Sequence, residues 1–253
     1  NHRANVINES KKYSYGDIVF TKSAGLKENL EKIGRFFESP YPLKMEEMGQ
    51  NYGFIYYKTT IKGILENLKL TIQEVRDRAL VFFNGEYKGV IDRNNNQEII
   101  LNSNEKESIL EILVENMGRI NYGPMMRDEK GITQGVRIGN QFLFNWEIFS
   151  LPLDNIEKVE FKEGYLESEN APTFYKGEFI VDEIGDTYLD FEGWGKGVVY
   201  INGFNLGRYW EVGPQKRLYV PSPILKKGVN EVVVFELHRS RESMKLKNTA
   251  KLV

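Results

Sequence analysis

One ten-residue pattern occurs twice in this chain and limits the folds that it can adopt. Residues 80–89 read LVFFNGEYKG, and residues 198–207 read VVYINGFNLG. In both copies four apolar residues precede Asn-Gly, and a glycine follows the asparagine by five positions. β-Branched and aromatic residues favour strands, and Asn-Gly favours the tight turn of a two-residue hairpin. The pattern therefore predicts the same β-hairpin at two places in the chain.

The similarity continues beyond the two hairpins. The first copy is followed by QEIIL at 97–101 and LEILVE at 110–115, and the second by KRLYV at 216–220 and EVVVFE at 231–236. The order of strands and turns agrees over about forty residues, which indicates an internal repeat. We interpret it as two tandem copies of one β-sandwich module.

The rest of the chain supports an all-β fold. Apolar residues mostly alternate, helical patterns are scarce and turn signals recur, which is typical of an antiparallel sandwich. Before the first module, Leu26–Phe37 has apolar residues at helical spacing, and the prolines of Ser39-Pro40-Tyr41-Pro42 end that pattern. We therefore predict two tandem β-sandwich domains, at 44–145 and 146–253, preceded by a connector at 1–43 that contains a short helix.

Composition excludes several classes of function. The chain has no cysteine and two histidines, His2 and His238, which argues against thiolate chemistry, a histidine metal cluster or a Ser-His-Asp triad. A net charge of −2 gives no basic field for nucleic acid, and no apolar run is long enough to span a membrane. The chain does not begin with methionine, so we expect it to be a piece of a longer chain, and its localisation stays open between the cytoplasm and the cell surface of a bacterium.

The stretch GWGKGVVYINGFNLGRYW at 193–210, with GPQKRLYVPSPILKKGVNEVVVFEL at 213–237, resembles the last module of glycoside hydrolase family 35 β-galactosidases. MEEMGQNYGFIYYKTTI at 45–61, MGRINYG at 117–123 and NWEIFSLPLD at 145–154 resemble the preceding module. The resemblance implies two galactose-binding-like jelly rolls that follow a catalytic (β/α)₈ barrel. It also implies a parent enzyme that cleaves terminal β-linked galactose with retention, so the first expected partner is the barrel, which this sequence lacks.

The family's pair of catalytic glutamates belongs to that barrel, and no motif here supplies it. Retaining glycosidases need two carboxyl groups about 5–5.5 Å apart. We therefore expect no catalytic residue and no hydrolysis by this chain alone. The sequence also nominates no cofactor and no metal ligands.

Two places are candidates for substrate binding. Asn121 and Tyr122 lie in a polar, glycine-flanked loop after a repeat strand, and in the resembling family this jelly roll lies beside the active-site mouth. Tyr209 and Trp210 end the second hairpin, where aromatic faces suit the apolar faces of pyranose rings. For both places, packing against a core or a neighbouring domain is the alternative. The Gly193–Gly197 run precedes a strand, so it is not a dinucleotide-binding motif.

Three functions remain open on the sequence alone. The chain is either the non-catalytic C-terminal portion of a β-galactosidase, which buttresses the barrel and shapes its substrate-entry rim, or an autonomous carbohydrate-binding module for galactose-containing glycans. The third alternative is a purely structural or oligomer-forming pair of β-domains. The match across both modules favours the first.

Overall fold

The structure is a computed structural model that describes residues 10–96, 98–124 and 126–252. Antiparallel pairing of short strands dominates it. In chain order, the strands of these residues are β1 (Gly16–Gly25), β2 (Arg35–Ser39), β3 (Phe54–Lys62), β4 (Leu65–Arg76), β5 (Arg78–Phe83), β6 (Glu86–Asp92), β7 (Asn95–Asn96), β8 (Ile99–Ser103), β9 (Glu107–Glu115), β10 (Gly131–Ile138), β11 (Gln141–Phe142), β12 (Trp146–Leu151), β13 (Lys162–Glu163), β14 (Thr173–Val181), β15 (Thr187–Asp190), β16 (Lys196–Ile201), β17 (Phe204–Trp210), β18 (Arg217–Val220), β19 (Gly228–Glu236) and β20 (Ser243–Lys247).

Within the described residues, helical structure is limited to short segments. One α-helix, α1, spans Leu30–Ile33, and 3₁₀ turns span Lys27–Asn29, Ile156–Lys158 and Ser222–Ile224. No helix in the described ranges is long and apolar enough to cross a membrane. The all-β fold class with a short N-terminal helix is therefore confirmed.

The chain divides into two compact units, each with one copy of the repeat. The first-repeat unit runs from Leu30 to Lys158, and the second-repeat unit combines the described residues up to Asn29 with those from Val159 onward. These limits differ from the predicted bounds at 43/44 and 145/146. β1 pairs with β14 and β20 of the second-repeat unit, while β12 pairs with β2 and β3 of the first-repeat unit.

The two hairpins have the same backbone geometry. In β5–β6 and in β16–β17 the register shifts at the same position of the repeat, after Val81 in one and after Val199 in the other. The asparagine of each turn adopts a positive φ, 48° at Asn84 and 51° at Asn202. Asn and Gly tolerate a positive φ better than other residues. The prediction of a tight hairpin turn at Asn-Gly is therefore confirmed at both places.

Each turn asparagine also ties its hairpin to the following repeat strand. The Asn84 side chain accepts a hydrogen bond of 2.7 Å from the Ile109 N–H, and the Asn202 side chain accepts one of 3.0 Å from the Glu231 N–H. The sheet order is β6-β5-β9-β3-β12 in the first-repeat unit and β17-β16-β19-β14-β1 in the second. The repeat thus extends from the hairpin to five strands of each unit.

The first-repeat unit is a sandwich. A seven-stranded sheet, β2-β12-β3-β9-β5-β6-β7, lies against a four-stranded sheet, β11-β10-β4-β8. Its core combines apolar residues of both sheets, among them Tyr57, Ile112 and Trp146 from the larger and Leu70 and Val136 from the smaller.

The second-repeat unit encloses its own core within one continuous sheet. β1 pairs with β14 through one part of its length and with β20 through another, so it joins β17-β16-β19-β14 to β20-β15-β18. The enclosed residues include Phe20, Tyr175, Trp194, Val234 and Leu246.

The prediction of a helix over Leu26–Phe37 is wrong beyond Ile33. Residues 35–39 form β2, whose Phe36 and Phe37 pair with Phe149 and Ile148 of β12. Gly34 separates the helix from the strand, and a Cβ there would lie 2.7 Å from the Leu30 carbonyl oxygen. The pairing with β12 depends on residues more than a hundred positions away, and it overrides the local helical spacing.

Candidate functional site

The loop after β9 begins with a buried asparagine that fixes its first turn. The Asn116 amide donates a hydrogen bond of 3.1 Å to the Asn51 carbonyl, and its oxygen accepts one of 2.9 Å from the Gly118 N–H. This arrangement is an Asx turn, in which a side chain replaces a backbone partner. The start of the loop is therefore held on the core of the first-repeat unit.

A buried group of charges lies against the same loop. Lys130 is fully buried, and its Nζ lies 2.9 Å from both carboxylate oxygens of Asp77 and 2.6 Å from Asp128 Oδ2. Asp77 Oδ2 also accepts a 2.7 Å hydrogen bond from the Met117 N–H. A buried charge is tolerated when it is paired and hydrogen-bonded, and here that network reaches the backbone of the loop.

Two arginines complete this charge cluster. Arg93 NH1 lies 2.7 Å from Asp77 Oδ1 and 3.0 Å from Asp128 Oδ2, and Arg76 NH1 lies 3.1 Å from Asp128 Oδ1. Burial disfavours the charged form of Asp128, but its hydrogen bonds to Lys130 and Arg93 hold its pKa below the ordinary value. The carboxylate is therefore ionised at neutral pH, and the cluster is a rigid support under the loop.

The middle of the loop is anchored by Arg119. Its guanidinium donates a 3.1 Å hydrogen bond to the Asn51 carbonyl and a 2.6 Å ion-paired hydrogen bond to Glu46 Oε1. Beyond it, Asn121 and Tyr122 are exposed, and Tyr122 keeps 89% of its surface accessible. The loop therefore has a fixed stem and an exposed tip that carries one amide and one phenol ring.

The other predicted pair occupies a different setting in the second-repeat unit. Tyr209 is 4% exposed, and its ring is stacked on Phe191 with centroids 3.9 Å apart. Burial raises the pKa of Tyr209, so the hydroxyl remains protonated and donates to Glu236. Trp210 is half-buried, and Lys196 Nζ lies 4.5 Å from the centroid of its ring. Of this pair, Trp210 is the one with an accessible surface.

Glu236 organises the glycine-rich run that precedes β16. Its buried carboxylate accepts five hydrogen bonds from described residues, from the Tyr209 hydroxyl and from the backbone N–H groups of Gly195, Lys196, His238 and Arg239. Burial raises its pKa, and these donors oppose that effect. A Cβ at Gly197 would lie 1.8 Å from the Phe235 carbonyl oxygen, which is a steric clash. The glycine-rich run is therefore built for close packing of strands.

Sequence reasoning found the exposed loop tip but missed the charged groups behind it. Asp77 lies about fifty positions before Asp128 and Lys130, and each of the three alone is an ordinary polar residue in the sequence. Glu236 had one signal, since an acid ends the corresponding strand in both repeats. Within the described ranges no group of three or more His, Asp or Glu side chains could hold a metal ion.

Comparison with known proteins identifies both units. Residues 42–152 match the family model described as "Beta-galactosidase, first all-beta domain", and residues 172–230 match "Beta-galactosidase, galactose-binding domain". Similar proteins include beta-galactosidase 17 of Arabidopsis thaliana, which is 37% identical over 93% of this chain, and beta-galactosidase of Homo sapiens, 36% identical over 89%. The chain belongs to the β-galactosidase family.

The chain spans 38% and 37% of the lengths of these two β-galactosidases. The all-beta match contains Asn121 and Tyr122, and the galactose-binding match contains Tyr209 and Trp210. Among solved structures, the match to Bacteroides uniformis beta-glucuronidase covers 84% of this chain and 24% of the beta-glucuronidase chain. The sequence identity is 14% and the TM-score is 0.30. That likeness is too weak to support an argument.

Proposed function

We propose that this chain is the non-catalytic C-terminal portion of a retaining β-galactosidase of glycoside hydrolase family 35. It buttresses a catalytic barrel that precedes it and shapes the entrance through which substrate reaches that barrel. Membership of the β-galactosidase family and the 37–38% share of these relatives' length support this proposal. The catalytic glutamates are assigned to the barrel, and we expect this chain alone to be inactive.

The observation that carries the proposal is the contrast between the stem and the tip of the Met117–Gly123 loop. The stem is fixed by Asp77, Asn51 and Glu46, whereas the Tyr122 side chain is 89% exposed. A side chain that recognises a substrate needs a backbone that does not move and a surface that is free. The loop meets both conditions.

The chemistry of the tip suits the leaving-group sugar of a galactoside. The ring of Tyr122 offers a flat apolar face for a pyranose, and its hydroxyl and the Asn121 amide donate and accept hydrogen bonds. In the second-repeat unit, Trp210 offers a second aromatic surface for glycan, and Tyr209 supports β17 from within the core. Galactose-containing glycans are therefore the proposed ligands at both places.

The proposal that the barrel carries the catalytic activity is tested by comparing the full-length enzyme with this chain alone. The assays are hydrolysis of p-nitrophenyl β-galactoside and the anomer of galactose first released from lactose, followed by NMR. We expect β-galactose from the full-length enzyme and no hydrolysis by the chain alone. Hydrolysis by the chain, or release of the α-anomer by the full-length enzyme, would contradict the proposal.

The buttressing role needs a separate measurement. The barrel is expressed without this chain, and its thermal inactivation is compared with that of the full-length enzyme. We expect inactivation at a lower temperature, because the surface that this chain covers becomes exposed to solvent. Equal activity and equal inactivation temperature would show that the chain does not buttress the barrel.

A further inference from the structure

The first-repeat unit has a groove of 380 Å³ at the start of β2 and the end of β12. Small-molecule sites are typically about 300–1,000 Å³. Polar side chains form much of its lining, and those that matter here are Arg35, Gln50, Asn51, Tyr52, Asp154 and Asn155. The groove is thus large enough for a small polar ligand.

Tyr52 presents the aromatic surface of this groove. The side chain is 52% exposed, and its hydroxyl donates a 2.8 Å hydrogen bond to Asp154 Oδ1. That hydrogen bond raises the pKa of Tyr52, so the phenol stays neutral. The ring is held in one orientation while part of its surface remains free.

Arg35 is also held in place without using its hydrogen-bonding capacity. Its guanidinium carbon lies 4.7 Å from the centroid of Phe37, a cation–π contact that orients the group. No described residue forms a hydrogen bond with this guanidinium, nor with the side-chain amides of Asn51 and Asn155. These groups are therefore available to a ligand.

The floor of the groove contains Gln50, which is 4% exposed. Its amide nitrogen donates to the carbonyls of Tyr52 and Phe54 at 2.7 and 2.8 Å, which fixes the side chain. Its oxygen is buried and accepts no hydrogen bond from any described residue. Gln50 therefore gives the groove a fixed floor, and the groups that a ligand can reach are those of the exposed walls.

We propose that this groove binds a neutral saccharide, with a pyranose ring on the face of Tyr52 and its hydroxyl groups on Arg35, Asp154 and the neighbouring amides. A sugar is the ligand that combines an apolar ring face with many hydroxyl donors and acceptors. One arginine and one aspartate give the lining no net charge, which favours a neutral ligand over an anionic one. The groove lies outside the galactose-binding match at 172–230, and it adjoins the stem of the Met117–Gly123 loop through Asn51, which accepts a hydrogen bond from Arg119.

The test is titration of lactose into this chain, followed by saturation-transfer NMR and calorimetry. We expect saturable binding with a dissociation constant in the millimolar range. Tyr52→Ala should weaken it about tenfold, since loss of an aromatic partner costs about 1.5 kcal/mol. Asp154→Ala should also weaken it, because Asp154 both orients Tyr52 and accepts from the ligand.

Tyr41→Ala is the matched control, because Tyr41 is a tyrosine of the same unit that is 63% exposed and lies edge-on to Phe144 outside the groove. It should leave the dissociation constant unchanged, and circular dichroism should show all variants folded. Absence of saturable binding by wild type overturns the proposal. An unchanged dissociation constant and an unchanged stoichiometry in both Tyr52→Ala and Asp154→Ala also overturn it, since all of the observed sugar then binds elsewhere on the chain. These outcomes are independent of the activity assays on the full-length enzyme.

Discussion

The hydroxyl of Tyr209 donates a 2.7 Å hydrogen bond to Glu236 Oε2, and both side chains are buried. The pair connects the end of the second hairpin to the last repeat strand, β19. The carboxylate would otherwise be a buried charge with backbone donors alone, so the tyrosine is part of its solvation by the protein. The aromatic residue that looked like a ligand contact in the sequence thus stabilises the second-repeat unit.

Tyr209→Phe should destabilise this unit while keeping the stacked ring. Hydrogen bonds to charged groups contribute about 1.5–3 kcal/mol, so the free energy of unfolding should fall by about that amount. Urea denaturation followed by tryptophan fluorescence measures it, since Trp194 and Trp210 belong to this unit. The control is Tyr188→Phe, which removes a hydroxyl that no described residue bonds from a half-buried side chain, and it should change stability by less than about 0.5 kcal/mol. If Tyr209→Phe and Tyr188→Phe lose equal unfolding free energy, the hydrogen bond from Tyr209 to Glu236 does not stabilise this unit.

Asp186 should give the second-repeat unit an acid-dependent stability. Burial disfavours its charged form, but hydrogen bonds from the Ser10 hydroxyl and the Ser222 N–H outweigh burial and hold its pKa at about 2. This value lies below the pKa of about 3.9 expected in the unfolded chain. The stabilisation is therefore complete above about pH 4 and is lost as the pH falls toward 2.

Asp186→Asn tests this dependence. The variant should be about 1–2 kcal/mol less stable than wild type at neutral pH, and the difference should shrink as the pH falls below about 4. Urea denaturation at a series of pH values measures it, and Asp182→Asn, at an exposed position of the same unit, controls for the loss of a charge. A difference that stays constant with pH would refute this account of Asp186.

Lys130→Met should be among the most destabilising changes in the first-repeat unit. It removes the buried cation that Asp77 and Asp128 share, and breaking a buried ion pair costs about 3–5 kcal/mol. Lys44→Met is the matched control, since Lys44 pairs with Glu129 at a partly exposed position and such pairs contribute about 0–1 kcal/mol. Denaturation followed by the fluorescence of Trp146, which lies in this unit, measures both. Equal losses of unfolding free energy in the two variants would contradict the conclusion that the buried ion pairs of Lys130 stabilise the unit.

Tyr122→Ala should leave the stability of the chain unchanged. The side chain is 89% exposed, and substitutions at such positions usually alter stability by less than about 0.5 kcal/mol. Thermal denaturation of the variant checks this expectation. A clear loss of stability would mean that Tyr122 is a packing residue, and the proposal for the loop tip would then lose its basis.

The repeat made the hairpins predictable because their turns depend on local chemistry. Asn84 and Asn202 adopt the backbone conformation that an Asn-Gly turn demands, and the flanking strands follow from β-branched and aromatic residues. The segment after Ile33 was not predictable in the same way. Its helical spacing competes with pairing to β12, and that pairing is set by the fold as a whole.

The residues of the candidate site differ in the same way, since some have a local sequence signal and others are placed by the fold as a whole. The glycine-flanked polar sequence around Tyr122 is a local signal, and the structure places this side chain at the surface. The burial of Tyr209 and the convergence of Asp77, Asp128 and Lys130 depend on contacts between distant segments. Such contacts leave no pattern in a single sequence.

The most direct measurement is the preference of the full-length enzyme among leaving groups. The ratio of kcat/KM for lactose to kcat/KM for p-nitrophenyl β-galactoside is compared between wild type, Tyr122→Ala and the control Tyr41→Ala. If the loop tip contacts the leaving-group sugar, Tyr122→Ala lowers this ratio by about three- to tenfold, the range expected for one lost aromatic contact, and Tyr41→Ala does not. An unchanged ratio in Tyr122→Ala would contradict the proposal that this chain shapes the substrate entrance through that loop.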